Sequence, residues 1–259
     1  MAREAQTIPA KKEVLVWARE TAGYELKEAA DLLDISEQEL AAIEAGKQMP
    51  SASIFRSMLA HYHQIESVLL LPSPPESDPL PQDYRTVGGA PARPSPETLL
   101  AIRDSRRIQY RVTELREADP ELIALATIPK ASLTDKAEVW AAKERERIGY
   151  PLDVQFQWRL GNEPFGRWRA RLQTLGILVL LKKMPWEDCR GLSLWDEALV
   201  PTVVVNRDDS YVARVFTLFH EYAHLMLHES GVCIKAQDSS HKGQVERWCN
   251  SFAANFLVP

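Results

Sequence analysis

An α+β chain, mainly α with a small β-sheet, is what this sequence predicts, in two parts joined by a linker. Three observations carry that expectation. Residues up to Leu71 fall into short helix-length pieces. Residues 72–96 then break the chain with closely spaced prolines. Beyond them, strand-length apolar runs precede a long stretch with helical periodicity.

The first part, residues 1–71, reads as an all-α bundle. Its helical pieces are VLVWARETAG, LKEAADLLD, SEQELAAIEAG and SASIFRSMLAHYH. Ser36 and Glu39 have capping-box spacing, Gly46 closes the third piece, and Pro50-Ser51 opens the next. Arg19, Gly23, Leu26, Ala29, Ala30, Leu33, Ile35, Leu40, Ile43, Glu44, Gly46 and Pro50 together resemble the XRE-type helix-turn-helix of phage repressors. The resemblance implies a five-helix unit whose recognition helix spans Ser36–Ala45.

DNA binding is one expectation for that unit. Gln38 could read an adenine edge, and Lys27, Lys47 and Arg56 could contact phosphate. The helix start also carries Glu37 and Glu39, which phosphate would repel. Residues 1–72 hold seven Lys and Arg against eleven Asp and Glu, whereas typical DNA readers are basic there. The residues leave two readings open: a DNA contact, or a protein-interaction unit that includes a homodimer through this domain.

Residues 72–96, PSPPESDPLPQDYRTVGGAPARPSP, read as a linker stiffened by proline, with a flexible point at Gly88-Gly89. Asp83-Tyr84-Arg85-Thr86 is the piece expected to dock on a neighbour. Residues 97–150 read as a helical connector. Glu97–Glu117 is an Arg-rich helix in which Arg103, Arg106, Arg107 and Arg111 are balanced by Asp104, Glu114 and Glu117, giving a solvated, salt-bridged face. A second helix follows over Asp135–Ile148.

The last part, residues 151–259, should hold an amphipathic helix at PFGRWRARLQTLG. Strands are expected at Gly176–Lys182, Leu192–Trp195 and Thr202–Asn206, then a helix over Val212–His228. Gly191–Trp195 is the candidate exposed edge for adding an extended substrate segment, with ordinary sheet packing as the alternative. Trp168 and Trp195 are read as core or cleft-wall residues.

The helix over Val212–His228 carries His220-Glu221-Tyr222-Ala223-His224. Spaced by four, the two imidazoles project from one helix face and can hold one Zn²⁺. Glu221 then sits beside the open coordination position, where it can take a proton from water. Three protein ligands are needed, and the next helix supplies a carboxylate at Glu246. Asn250 shares that face and can hydrogen-bond a ligand histidine to fix its tautomer. Cys249 and His241 are the alternatives for the third ligand. His228, a further turn along, is read as capping or solvating the helix end, and Cys233 has no C-x-x-C partner.

FTLFHEYAHLMLH followed by VERWCNSFAANFLVP resembles the ImmA/IrrE family of gluzincin-like metallopeptidases, as do GILVLLKKM and GLSLWDEALVPTVVVNRDDS upstream. The likeness runs from about Val154 to Pro259, and Ala223 stands where the family often has Gly. It implies a zincin-like catalytic domain with His220, His224 and Glu246 as zinc ligands and Glu221 as base. It also implies a narrow protein substrate, typically a helix-turn-helix repressor cut in a stress or mobile-element response. Such proteins usually continue past the second helix, which leaves two expectations for the end at Pro259: a truncated sequence, or an incomplete active-site wall. Two rival classes remain: a transcription regulator whose zincin-like domain senses or scaffolds, and a toxin–antitoxin-like binding protein.

The net charge of −5 argues against a broadly basic nucleic-acid surface. Three cysteines at irregular spacing give no disulfide framework and suit a reducing compartment. The start lacks the apolar segment of a signal peptide, and the longest apolar run is too short to span a membrane. A cytoplasmic location is the corresponding expectation.

Overall fold

The structure, a computed structural model, describes residues 7–76, 94–159, 161–228 and 241–258. These divide into two compact units, one from residues 7–76 and 94–100, the other from Ala101 onward. The fold is α+β, as the sequence predicts, with an all-helical first unit and a single small sheet.

The first unit holds α1 (Lys12–Ala22), α2 (Leu26–Leu33), α3 (Glu37–Glu44), α4 (Ala52–His61) and α5 (Glu66–Leu69). Helix α1 ends on Gly23, whose φ of 88° suits a residue without Cβ. Ser36 caps α3, accepting from the Glu39 amide at 3.1 Å. The reciprocal half of the expected capping box is absent from α3; the Glu39 carboxylate instead accepts from Gln48 at 3.5 Å. A complete box forms one helix earlier, between Glu25 and Glu28. Val14, Leu15, Leu40, Ile43, Phe55, Met58 and Tyr62 are buried together as the core.

One ion pair ties α1 to α3 at the edge of that core. Arg19 grips Glu44 with both arms, Nε to Oε1 at 2.8 Å and Nη2 to Oε2 at 3.0 Å. Both side chains are about nine-tenths buried. Removing one partner strands the other charge, which costs more than the pair itself contributes. Glu44→Ala is therefore expected to destabilise the first unit by about 3 kcal/mol. Chemical denaturation of the full chain checks this, and an unchanged midpoint would exclude it.

The second unit begins within α6 (Pro96–Ala118) and continues with α7 (Ala137–Ile148), α8 (Leu152–Phe156) and α9 (Glu163–Thr174). Strands β1 (Leu178–Lys182), β2 (Gly191–Leu194) and β3 (Thr202–Asn206) precede α10 (Tyr211–Met226) and α11 (His241–Leu257). The sheet order is β1-β3-β2, with β1 parallel and β2 antiparallel to β3. After β3 the chain turns, and Ser210 caps α10 by accepting from the Ala213 amide. Helix α10 packs on β2 and β3 on one side and on α11 on another, and α7 backs α11. Trp168 of α9 meets Phe219 edge-on at 5.0 Å between centroids, and Phe219 stacks on Phe256 at 4.0 Å.

Helix α6 corrects one sequence reading. Arg111 does form a solvated pair with Glu114 at 2.7 Å. Arg103, however, is half-buried, and burial lowers its pKa. The same helix docks through a buried polar stripe: Gln109 donates to the carbonyls of Leu194 and Val200, and the Thr113 hydroxyl accepts from the Val200 amide at 3.0 Å. Strand β2 lies at the sheet edge, and all four of its residues are buried. Among the described residues no helix is long and apolar enough to cross a membrane.

Candidate metal centre

Helix α10 is apolar nearly all round because both flanks are covered. Its stretch from Thr217 to Met226 is buried throughout, His220, Glu221 and His224 included. Three polar side chains persist in that setting only if something satisfies them. Glu246 of α11 meets the two imidazoles there. His220 Nε2 lies 3.3 Å from Glu246 Oε2, and His224 Nε2 lies 3.3 Å from Glu246 Oε1. The two Nε2 atoms are 3.2 Å apart.

The His220 imidazole is oriented from behind. Asn250, one turn after Glu246, places Oδ1 3.1 Å from His220 Nδ1. An amide oxygen only accepts, so Nδ1 carries the proton and Nε2 turns a lone pair toward the centre. Cys249 lies against His224. Burial opposes a proton on both rings. It prevails at His220, whose pKa is lowered. At His224 the thiol and the carboxylates of Glu246 and Glu221 outweigh it and raise the value. Burial also works against ionising Glu246, but the two imidazoles override it and push that carboxyl down to about 2.

The convergence fits a divalent cation. His220, His224 and Glu246 each offer one ligand atom, and these all lie within 4.8 Å of one another. A tetrahedral Zn²⁺ with ligands at about 2.0–2.1 Å spaces neighbouring donors roughly 3.3 Å apart, close to the separations seen. Cys249 stands outside this set, and burial pushes its thiol up, away from the thiolate that binds metal. His228 has left the helix with φ 56° and stacks on Trp195 at 4.1 Å. His241 opens α11 rather than lying in a loop. Its side chain, Cys233 and Asp83–Thr86 lie outside the described residues.

Residues 172–259 match the family model of the IrrE N-terminal-like domain, peptidase M78. Residues 13–67 match the model of a helix-turn-helix domain, which lies over α1 to α5. No curated protein and no solved structure matches the chain.

The IrrE-like match begins within α9 and covers the sheet, α10 and the described part of α11, so the whole donor set lies inside it. What sequence reading missed in this domain is how α10 is held from behind. Tyr222, inside the H-E-x-x-H run, donates to Glu144 Oε2 at 2.6 Å and accepts from Arg147 at 2.7 Å. Both partners are on α7, more than seventy positions away, so no local spacing could reveal them. In the helix-turn-helix domain, Lys27, Gln38 and Lys47 are all exposed, and so is Glu37.

Proposed function

We propose that this chain is a cytoplasmic zinc-dependent regulatory endopeptidase that cleaves a repressor-type helix-turn-helix protein in a stress or mobile-element response. The match of residues 172–259 to a peptidase family model supports the reaction class. The single observation that carries the reading is the meeting of His220, His224 and Glu246 beside a buried Glu221. A scaffold or ligand sensor has no use for a carboxylate at 221, which is why the enzymatic reading is preferred to a pure binding role.

His220, His224 and Glu246 would hold the ion, and Asn250 would keep His220 in the ligating tautomer. A zinc ion there would supply Lewis acidity to the peptide carbonyl and lower the pKa of an attacking water. The remaining chemistry belongs to Glu221. Its carboxylate takes the proton from that water as the oxygen attacks the carbonyl carbon, then delivers it to the amine nitrogen as the C–N bond breaks. Mass spectrometry of repressor-type helix-turn-helix proteins encoded near this chain's gene, after incubation with the zinc-loaded protein, tests the reading. One defined cut is expected, and recovery of every such protein intact would refute it.

In the same reading the divisions are a helix-turn-helix over 1–71, a linker over 72–96, a connector over 97–150 and a catalytic domain over 151–259. The helix-turn-helix acts mainly through protein contacts, because Glu37 and Glu39 lie at the start of its recognition helix. Gln38, Lys27 and Lys47 would supply what DNA contact there is. The full chain should bind duplex DNA weakly, and more weakly as salt rises. Replacing Glu37 and Glu39 with Lys should strengthen binding to any sequence. A tight sequence-specific complex of the wild-type chain at physiological salt, seen by fluorescence anisotropy, would contradict this.

A further inference from the structure

Gly191 is the first residue of β2 and pairs with Val205 of β3. Its φ is unexceptional, so it is not there for backbone freedom. It is there for space. A Cβ at 191 would stand 2.4 Å from Thr217 Cγ2, 3.0 Å from the Val204 carbonyl oxygen and 3.1 Å from Glu221 Cγ. Glycine inside a strand marks a close approach of another element, and here that element is the helix turn bearing the proposed base.

We propose that Gly191 is a positioning residue for Glu221: the bare backbone at 191 sets the wall against which the Glu221 side chain rests. The inference depends on the endopeptidase reading above. Thr217 and Glu221 are one helical turn apart and face β2 together. Neither His220 nor His224 is among the three nearest contacts of such a Cβ; His220 lies about 100° around the helix from Glu221, and His224 about 4.5 Å further along its axis. Strand β2 cannot simply retreat. It is paired to β3 along its length, and Gln109 holds its far end at Leu194. A side chain at 191 therefore pushes on Thr217 and Glu221 and leaves the donor set of His220, His224 and Glu246 in place. Base position and metal binding are separable at this residue.

Cobalt(II) is the probe, because its visible absorption reports the donor set. Acetohydroxamic acid is the second probe. It chelates the ion and gives its proton to a carboxylate placed where Glu221 would be. The wild-type full chain should take up cobalt and bind acetohydroxamic acid. Gly191→Ala should keep the cobalt spectrum and bind acetohydroxamic acid roughly ten- to a hundred-fold more weakly, the scale of a displaced catalytic group. Glu221→Gln should behave likewise. Adding Thr217→Ser to Gly191→Ala removes the 2.4 Å collision but keeps the 3.1 Å contact with Glu221, so affinity should recover in part.

Gly191→Ala binding acetohydroxamic acid as wild type does would overturn the inference alone, and so would a changed cobalt spectrum. Should Gly191→Ala fail to fold, the double variant against Thr217→Ser decides: equal affinity overturns the inference, weaker affinity supports it. A wild-type chain that takes up no cobalt, or cobalt uptake indifferent to His224→Ala, overturns the metal-site reading itself and this inference with it.

Discussion

His224→Ala should lose most of its zinc, falling from about one ion per chain to a small fraction of that. The variant keeps His220 and Glu246, but two donors do not hold a tetrahedral ion against dilution. The loss goes beyond one bond. His224 Nε2 is 3.2 Å from His220 Nε2 and 3.3 Å from Glu246 Oε1, so its removal opens one side of a closely spaced set. Glu246→Ala should do the same from α11. Elemental analysis after dialysis reads both. Zinc at wild-type level in the two variants would end the assignment of these ligands.

Glu221→Gln separates chemistry from binding. The side chain keeps its size inside a buried pocket, and Glu221 is not among the converging donors, so zinc content should stay at the wild-type level. An amide cannot accept the proton from water. Cleavage of a protein substrate should therefore fall by about 10²–10⁴-fold, the range a positioned general base supplies. Turnover near the wild-type rate, followed by gel electrophoresis of the substrate, would remove Glu221 from the mechanism.

The parts of this site that were legible in the sequence are those written at helical spacing. His220 with His224, and Glu246 with Asn250, are each four apart, and a helix alone puts them on one face. Strand β3 was equally plain, since TVVVN is apolar, β-branched and bounded by Pro201 and a polar turn. What stayed hidden depends on partners distant in sequence. Gln109 and Thr113 look like ordinary polar positions on an Arg-rich helix, and only the approach of Leu194 and Val200 makes them a buried seam. Tyr222 needed Glu144, and β2 needed α6 to explain its burial. Gly191 did carry a signal. A glycine opening a strand pattern announces a close approach, but not what is approached.

The rings of Trp168, Phe219, Phe252 and Phe256 back the donor-bearing turns of α10 and α11 from the side away from the ion site. Such packing draws its strength from buried hydrocarbon and ring contacts, with no share owed to coordination bonds. Zinc fingers are the opposite case, shapeless until the ion arrives. In this chain the mould comes first. A chelator is therefore expected to remove a bound ion and leave the far-ultraviolet circular dichroism of the chain unchanged, and a loss of helical signal on stripping would contradict this.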